Sequence, residues 1–112
     1  MIYFVTRHPG ALEWLQQQVC EPVAHLEHLH SVDIIKRGDR VAGNLPIHLV
    51  EQICSRGARY FHLQLELPPE LRGRELTAEQ LNRLNVKLVE YIVFHPCEDE
   101  AVLQYARERE VC

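Results

Sequence analysis

The residues most suited to chemistry are Thr6, Arg7 and His8, which end a short apolar, β-prone stretch at the start of the chain. Pro9 and Gly10 then turn the chain, and a helical pattern follows. In an open α/β sheet, ligands bind beyond the carboxyl ends of strands, where the N–H groups of the next helix favour an anion. Arg7 adds a donor fork suited to phosphate, and His8 adds a group that moves protons near neutral pH. The segment predicts either an anion site or an ordinary turn with solvated side chains.

A second turn of the same kind is formed by Gly43, Asn44, Leu45 and Pro46. Asn44 is a suitable N-cap and Pro46 fits a first helical turn, so the sequence predicts a helix that Asn44 opens. In a parallel sheet both turns lie at one edge, where two helix starts converge on one anionic ligand. His48 lies one turn into that helix; it either faces the crevice or is a solvated helix histidine.

Two arginines flank a glycine in the loop after the fourth predicted strand, at Arg72 and Arg74. This loop reaches the same edge of the sheet, and a pair of guanidinium groups suits a loop that closes on phosphates. The alternative is a solvated polar loop.

His25, His28 and His30 follow one another closely. On a strand, His28 and His30 share one face while His25 opposes them. A metal site needs several converging ligands with supporting groups around them, so the spacing does not predict a metal site.

Arg7 and His8 at the end of a first strand also resemble histidine phosphatases, in which a strand ends in Arg-His-Gly and the histidine takes the phosphoryl group. Pro9 stands here in place of that glycine, and the chain of 112 residues is short for that fold. A small phosphatase-like enzyme using His8 is therefore a third interpretation.

Length and charge narrow the function classes. The chain has 112 residues and a formal net charge of −4, with the acidic excess in residues 75–112. One domain is expected, and the absence of a broad basic surface argues against general binding of long nucleic acid. A small anionic ligand held by local arginines stays possible.

Apolar stretches and cysteines predict the compartment. No apolar run is long enough to cross a membrane, and Met1 leads directly into a strand rather than a signal peptide. Cys20, Cys54, Cys97 and Cys112 lie far apart and are typical of reduced intracellular thiols rather than structural zinc. A cytoplasmic protein without membrane association is expected.

Strands and helices alternate along the sequence. We predict strands over residues 2–6, 22–29, 40–43 and 59–67, and helices over 11–20, from 44 to before 57, and from 77 to 96. Residues 98–112 are expected to be a loose final helix or a tail. This alternation predicts an α/β fold with a mostly parallel sheet of four or five strands and helices on both faces.

The fourth strand alternates between apolar and polar side chains. Phe61, Leu63 and Leu65 share one face, and the other carries Tyr60, His62, Gln64 and Glu66. A polar face on a long strand is either an edge facing water or part of an interface or site. So small a sheet also favours a homodimer about a two-fold axis.

Several stretches of the chain resemble one protein family. They are residues 3–15, 38–39, 43–49, 56–63, 67–68 and 71–76, which together span about residues 3 to 90 in order. The sequence is similar to the Csx-sixteen family, small CRISPR-associated accessory proteins of type III loci. Position 44 is more often threonine in that family, and Asn44 can still cap a helix. Residues 20–35 and the tail after about 95 match poorly, so nothing is carried over there.

The resemblance implies a small Rossmann-like (CARF-like) three-layer domain that acts as a ring nuclease without a cofactor. Such an enzyme cleaves cyclic oligoadenylate, above all cyclic tetra-adenylate, and so switches off type III CRISPR signalling. The 2′-OH attacks its own 3′-phosphate in line, which needs no metal and leaves a 2′,3′-cyclic phosphate. Arg7, Arg72 and Arg74 are then candidates for charge stabilisation, with His8 the first acid/base candidate and His48 the second. The matching strand-end and loop residues would bind the ring: Thr6, Arg7, Pro9, Gly10, Gly43, Asn44, Leu45, Pro46, Arg72 and Arg74.

A rival hypothesis is a non-catalytic module that binds or sequesters the same ring. It uses the same arginines and needs no acid/base histidine. Incubation of the protein with labelled ring, with and without chelator, distinguishes the two.

Overall fold

A single sheet organises residues 1–95, the part of the chain that the computed structural model describes. Its five strands run in the order β2-β1-β3-β4-β5. β1, β2, β3 and β4 are parallel to one another, and β5 runs antiparallel to β4. The elements in chain order are β1 (Ile2–Val5), α1 (Pro9–Gln18), β2 (Val23–Leu26), β3 (Arg40–Gly43), α2 (Ile47–Ser55), β4 (Arg59–Gln64), a 3₁₀-helix (Pro69–Leu71), α3 (Ala78–Arg83) and β5 (Lys87–Tyr91). The predicted α/β fold with a mostly parallel sheet is confirmed.

Helices cover both faces of the sheet, because side chains along each strand alternate between two cores. One core joins α2 to the sheet and includes Val41, Ile53 and Tyr60. The other joins α1 and α3 to the opposite face and includes Phe4 and Trp14. The result is the three-layer, Rossmann-like arrangement that the alternation predicts.

Helix α1 begins two residues earlier than predicted. Pro9 and Gly10 form its first turn, and His8 occupies the N-cap position with an extended backbone. Proline suits the first helical position because its missing N–H would have no partner there and its φ is already helical. The proposed Pro-Gly turn before the helix is therefore wrong, and His8 stands directly at the helix start.

Helix α2 begins later than predicted. Pro46 takes the N-cap position and the helix starts at Ile47, so the prediction that Asn44 caps it is wrong. Because a residue before proline avoids helical backbone angles, Leu45 cannot join the helix and the turn stays extended. Ile47 in the first turn is 71% exposed, whereas Val50 and Ile53 are buried against the sheet.

The third predicted helix is the largest error. Thr77 is its N-cap and forms a capping box with Gln80, so the helix starts where it is expected, but it ends at Arg83. Asn85 has a φ of 53°, a left-handed conformation that asparagine tolerates and that stops a helix. The residues that follow form β5, which pairs with β4.

Strand β4 is internal, which overturns its interpretation as an edge facing water. It lies between β3 and β5 and ends at Gln64. Tyr60, placed on the supposed polar face, is only 1% exposed. The predicted loose helix or tail over residues 98–112 lies outside the described residues. No helix of the described part is long and apolar enough to cross a membrane.

Candidate functional site

The order in which strands are added to the sheet reverses between β1 and β3, and this reversal indicates where a ligand can bind. The connection from β1 runs through α1 on one face, and the connection from β3 runs through α2 on the other. In open α/β sheets such a switch point leaves a crevice beyond the carboxyl ends of the strands. The β1–α1 turn (residues 6–8) and the β3–α2 turn (residues 44–46) both lie at that crevice, as the sequence predicts.

Gly43 brings the ends of β1 and β3 into close contact. It is paired with Val5 across the sheet, and a Cβ placed on it would lie 2.8 Å from the Val5 carbonyl oxygen. Its φ of +155° is also one that side chains rarely allow. Glycine at this position therefore sets Thr6 and Asn44 side by side at the mouth of the crevice.

The β1–α1 turn is braced by its own side chain and by β2. The His8 N–H donates to Thr6 Oγ1 over 3.1 Å, and His25 Nε2 donates to the Thr6 carbonyl oxygen over 2.7 Å. The Thr6 N–H donates to Leu26 at 2.9 Å. Because a carbonyl oxygen only accepts, His25 carries a proton on Nε2. The Arg7 and His8 side chains are left exposed to contact a ligand.

A cavity of about 650 Å³, with both polar and apolar residues in its wall, lies on the β2 side of this turn. We call it the β2-side cavity; Arg7, Glu27, His28 and His30 contribute charged or titratable side chains to it. Arg7 Nη2 lies 3.5 Å from His28 Nδ1, and the His28 and His30 rings stack with centroids 5.5 Å apart. Because β2 ends at Leu26, these two histidines lie in a loop, not on the strand assumed in the sequence analysis.

A second cavity of about 390 Å³ lies on the other side of the turn, and we call it the α1-side cavity. Leucines from β4, α3 and the intervening loop form much of its wall, and Arg74 and Glu75 add charge. Thr6, His8 and Asn44 line both cavities. These three residues form a ridge between a compartment of mixed polarity on the β2 side and a mainly apolar one on the α1 side.

The wall of the α1-side cavity is docked directly on the start of α1. A Cβ placed on Gly10 would lie 1.7 Å from the Leu76 carbonyl oxygen, so only glycine allows this approach. Gly10, proposed as a ligand contact, therefore seats the loop that carries Arg74.

Tyr60 holds the β3–α2 turn from inside the core. Its hydroxyl donates to the Gly43 carbonyl oxygen over 2.9 Å and accepts from the Leu45 N–H over 3.0 Å. His62 Nδ1 lies 2.8 Å from the same hydroxyl. Since the hydroxyl proton is used on Gly43, His62 carries a proton on Nδ1 and donates it to Tyr60. Burial raises the pKa of Tyr60, and the hydrogen bond from Leu45 opposes that shift.

Sequence reasoning missed this support. The available signal was the alternation of β4, which placed Tyr60 and His62 on one face; that face was interpreted either as an edge facing water or as part of an interface or site. Tyr60 and His62 lie on the same face of β4, which pairs with the strand that ends at Gly43; this pattern could have predicted side chains that support the turn after Gly43.

The remaining proposed site residues lie apart from the crevice or at its margin. His48 is exposed on the second residue of α2, and neither it nor Arg72 lines either cavity. Leu45 and Pro46 line the β2-side cavity. Pro9 is exposed in the first turn of α1. Among residues 1–95, no three His, Cys, Asp or Glu side chains are grouped in a way that could hold a metal ion.

Residues 3–94 match the model of the family described as "Putative CRISPR-associated protein (Cas_VVA1548)". The chain belongs to this family. The matched segment contains both turns, both cavities and the core that supports them. The prediction of a CRISPR-associated protein is thereby confirmed. Comparison with curated proteins and with solved structures gave no significant match.

Proposed function

We propose that this protein is a ring nuclease of the Csx-sixteen type, which binds and cleaves cyclic tetra-adenylate and so switches off type III CRISPR signalling. Membership in a CRISPR-associated family supports the setting. The observation that carries the proposal is the position of His8, on a ridge between two cavities at the switch point, next to Arg7. An anionic ligand that lies across the ridge is close both to the permanent positive charge of Arg7 and to the imidazole of His8, which can transfer a proton.

The chemical step follows from the structure of the ring. A ribose 2′-oxygen attacks the adjacent phosphorus, the bond from phosphorus to the 5′-oxygen breaks, and a 2′,3′-cyclic phosphate and a 5′-hydroxyl result. The attacking oxygen loses its proton to water or a side chain, and the leaving 5′-oxygen gains one. Holding the attacking and leaving oxygens in line accounts for much of the acceleration of such a step.

Two side chains of the β1–α1 turn divide the work. Arg7 pairs with phosphate oxygens through its planar guanidinium group and stabilises the charge that grows on the phosphorane. His8, at the N-cap position of α1, donates a proton to the leaving 5′-oxygen. The amino-terminal end of the α1 dipole adds partial positive charge at the same place.

A dimer matches the symmetry of the ligand. Cyclic tetra-adenylate contains a two-fold axis, so two copies of this chain can each present one crevice to opposite halves of the ring. Analytical ultracentrifugation of the protein with and without the ring tests this arrangement.

Incubation of the purified protein with radiolabelled cyclic tetra-adenylate, with and without EDTA, tests the function itself. We expect linear products ending in a 2′,3′-cyclic phosphate in both conditions. Activity that vanishes with EDTA and returns with one divalent ion contradicts the proposed mechanism. A ring that stays bound and intact over long incubation assigns the protein to sequestration, and a ring that does not bind refutes the proposal.

A further inference from the structure

The two cavities beside the ridge differ in the residues of their walls. The α1-side cavity is mainly apolar, whereas the β2-side cavity has more charged and titratable side chains. The α1-side cavity is walled by leucines from three elements, namely Leu63, Leu65, Leu67, Leu76 and Leu81. Leu63 and Leu81 belong to the buried core, and Leu65 and Leu76 pack against it. The β2-side cavity also has apolar residues in its wall, but it carries in addition Arg7 and the stacked pair of His28 and His30.

A cyclic oligoadenylate alternates between charged phosphates and planar, weakly polar bases. Apolar surface stabilises a base by stacking and by its removal from water, whereas phosphates need donors and positive charge. A ligand lying across the ridge can therefore place a phosphate toward Arg7 while its base enters the apolar side. The cavity volume of about 390 Å³ is in the range of small-ligand pockets.

We infer that the α1-side cavity is the pocket for one adenine base of the ring; this inference rests on the proposed function. The leucines hold the faces of the base. Glu75, which lines the same cavity, accepts a hydrogen bond from the exocyclic amine, and the Asn44 amide pairs with a ring nitrogen. The pocket thus recognises a 6-aminopurine, and the cleaved phosphate lies beside His8.

Filling the pocket tests the inference on the full protein. In Leu67→Trp a half-buried leucine at the cavity is replaced by a large ring, and we expect the dissociation constant for cyclic tetra-adenylate to rise about tenfold or more, because one lost base contact is worth that much. Leu71→Trp is the matched control, since Leu71 is equally half-buried in the neighbouring 3₁₀-helix and does not line the cavity. Thermal melting of both variants verifies folding.

A change in the ligand tests recognition without any dependence on folding of a variant. A cyclic tetranucleotide of purine riboside lacks only the exocyclic amine. We expect the wild-type protein to bind it about tenfold more weakly than cyclic tetra-adenylate, since a site built to pair with an amine is left with an unpaired acceptor. Glu75→Ala removes most of this difference, whereas Glu70→Ala, at an exposed glutamate of the 3₁₀-helix, keeps it.

The outcomes separate the two proposals. A wild-type protein that neither binds nor cleaves cyclic tetra-adenylate refutes the ring-nuclease function. The base pocket is refuted, and the ring-nuclease function kept, by the following result. The wild-type protein cleaves the ring, Leu67→Trp binds it as tightly as wild type, and wild type binds the ring equally well with and without the exocyclic amine. Equal discrimination in Glu75→Ala and wild type removes Glu75 from recognition and overturns the inference as stated.

Discussion

The β1–α1 turn and the β3–α2 turn meet at one edge of the sheet, but different interactions hold them. In the β1–α1 turn the supporting hydrogen bonds are exposed, Arg7 and His8 are exposed, and the helix begins at once. In the β3–α2 turn the support is the buried Tyr60 hydroxyl, and the helix begins only after Pro46.

The two turns therefore differ in how easily they can adjust to a ligand. An exposed hydrogen bond is replaced by water at little cost, so the β1–α1 turn can adjust its side chains to a ligand. A buried carbonyl or N–H group left without its partner costs much more, so Gly43 and Leu45 stay where Tyr60 holds them. Changes of Arg7 or His8 should therefore alter activity, and changes of Gly43 or Tyr60 should alter stability.

The largest effect is expected from His8→Ala. Single-turnover cleavage should fall about 10²–10⁴-fold, the usual loss for one positioned acid or base, while ring binding is largely kept. His95→Ala, at an exposed histidine far from the crevice in sequence, is the control. His48→Ala should have a far smaller effect, because His48 lines neither cavity. Wild-type cleavage by His8→Ala would contradict the division between the two turns.

A smaller effect is expected from Arg7→Ala, which acts on binding. Loss of a charge-assisted hydrogen bond costs about 1.5–3 kcal/mol, so the dissociation constant of the ring should rise about 10- to 100-fold in a binding titration. Arg83→Ala, on the exposed side of α3, provides the baseline. Arg74→Ala should weaken binding more than Arg72→Ala, since only Arg74 of this pair lines a cavity. The reverse order would move the arginine contact outside the α1-side cavity.

In the β3–α2 turn, Gly43→Ala should destabilise the fold. The new methyl group meets Val5 and the backbone is strained, so the free energy of unfolding should fall by about 2–4 kcal/mol in urea titrations. Gly38 also has a positive φ, of +87°, but a Cβ placed on it would meet nothing within 4 Å, so Gly38→Ala is the control. A loss of about 1–2 kcal/mol is expected there. Equal losses in the two variants would show that strain alone, and not the close approach of β1 and β3, matters at Gly43.

Tyr60→Phe should cost about 1–3 kcal/mol of stability, because it deprives Gly43 and Leu45 of a buried partner. Tyr3→Phe is matched in chemistry and packs against the same core while being half-buried. Its unfolding curve should stay close to wild type. Identical curves for both variants would remove Tyr60 from the support of the turn.

The smallest effect concerns alkaline pH. Because burial raises the pKa of Tyr60 above its usual 10.0, the neutral phenol favours the folded state. That contribution is complete below about pH 10 and is lost as the pH rises through the folded pKa. Wild-type protein should therefore lose more stability between pH 9 and pH 11 than Tyr60→Phe does, measured by urea unfolding. Parallel losses would mean that the Tyr60 hydroxyl is not linked to folding.

Sequence patterns predicted the sheet and the edge at which the candidate site lies, because strand–helix alternation is a local property. They failed where two local rules conflicted. Leu81, Leu84, Leu88 and Ile92 have helical spacing, yet the left-handed Asn85 divides them and pairing with β4 decides the second half. Such pairing is a long-range property that spacing does not contain.

The site was predictable in part for the same reason. Arg7, His8, Asn44 and Arg74 follow directly from strand ends and loop composition, and the structure places them at one crevice. The Tyr60 support and the contrast between the two cavities depend on which strands are neighbours, and no window of sequence shows that.

The contact between Gly10 and Leu76 also sets an order of assembly. The two residues lie far apart in the sequence, and residues 73–81 complete the α1-side cavity. Until that segment docks on the start of α1, one wall of the cavity is missing. Closing such a long loop is slow compared with forming local contacts. A chain whose parallel sheet has formed before this loop docks has the β1–α1 turn and the β2-side cavity, but its α1-side cavity is still open on one side.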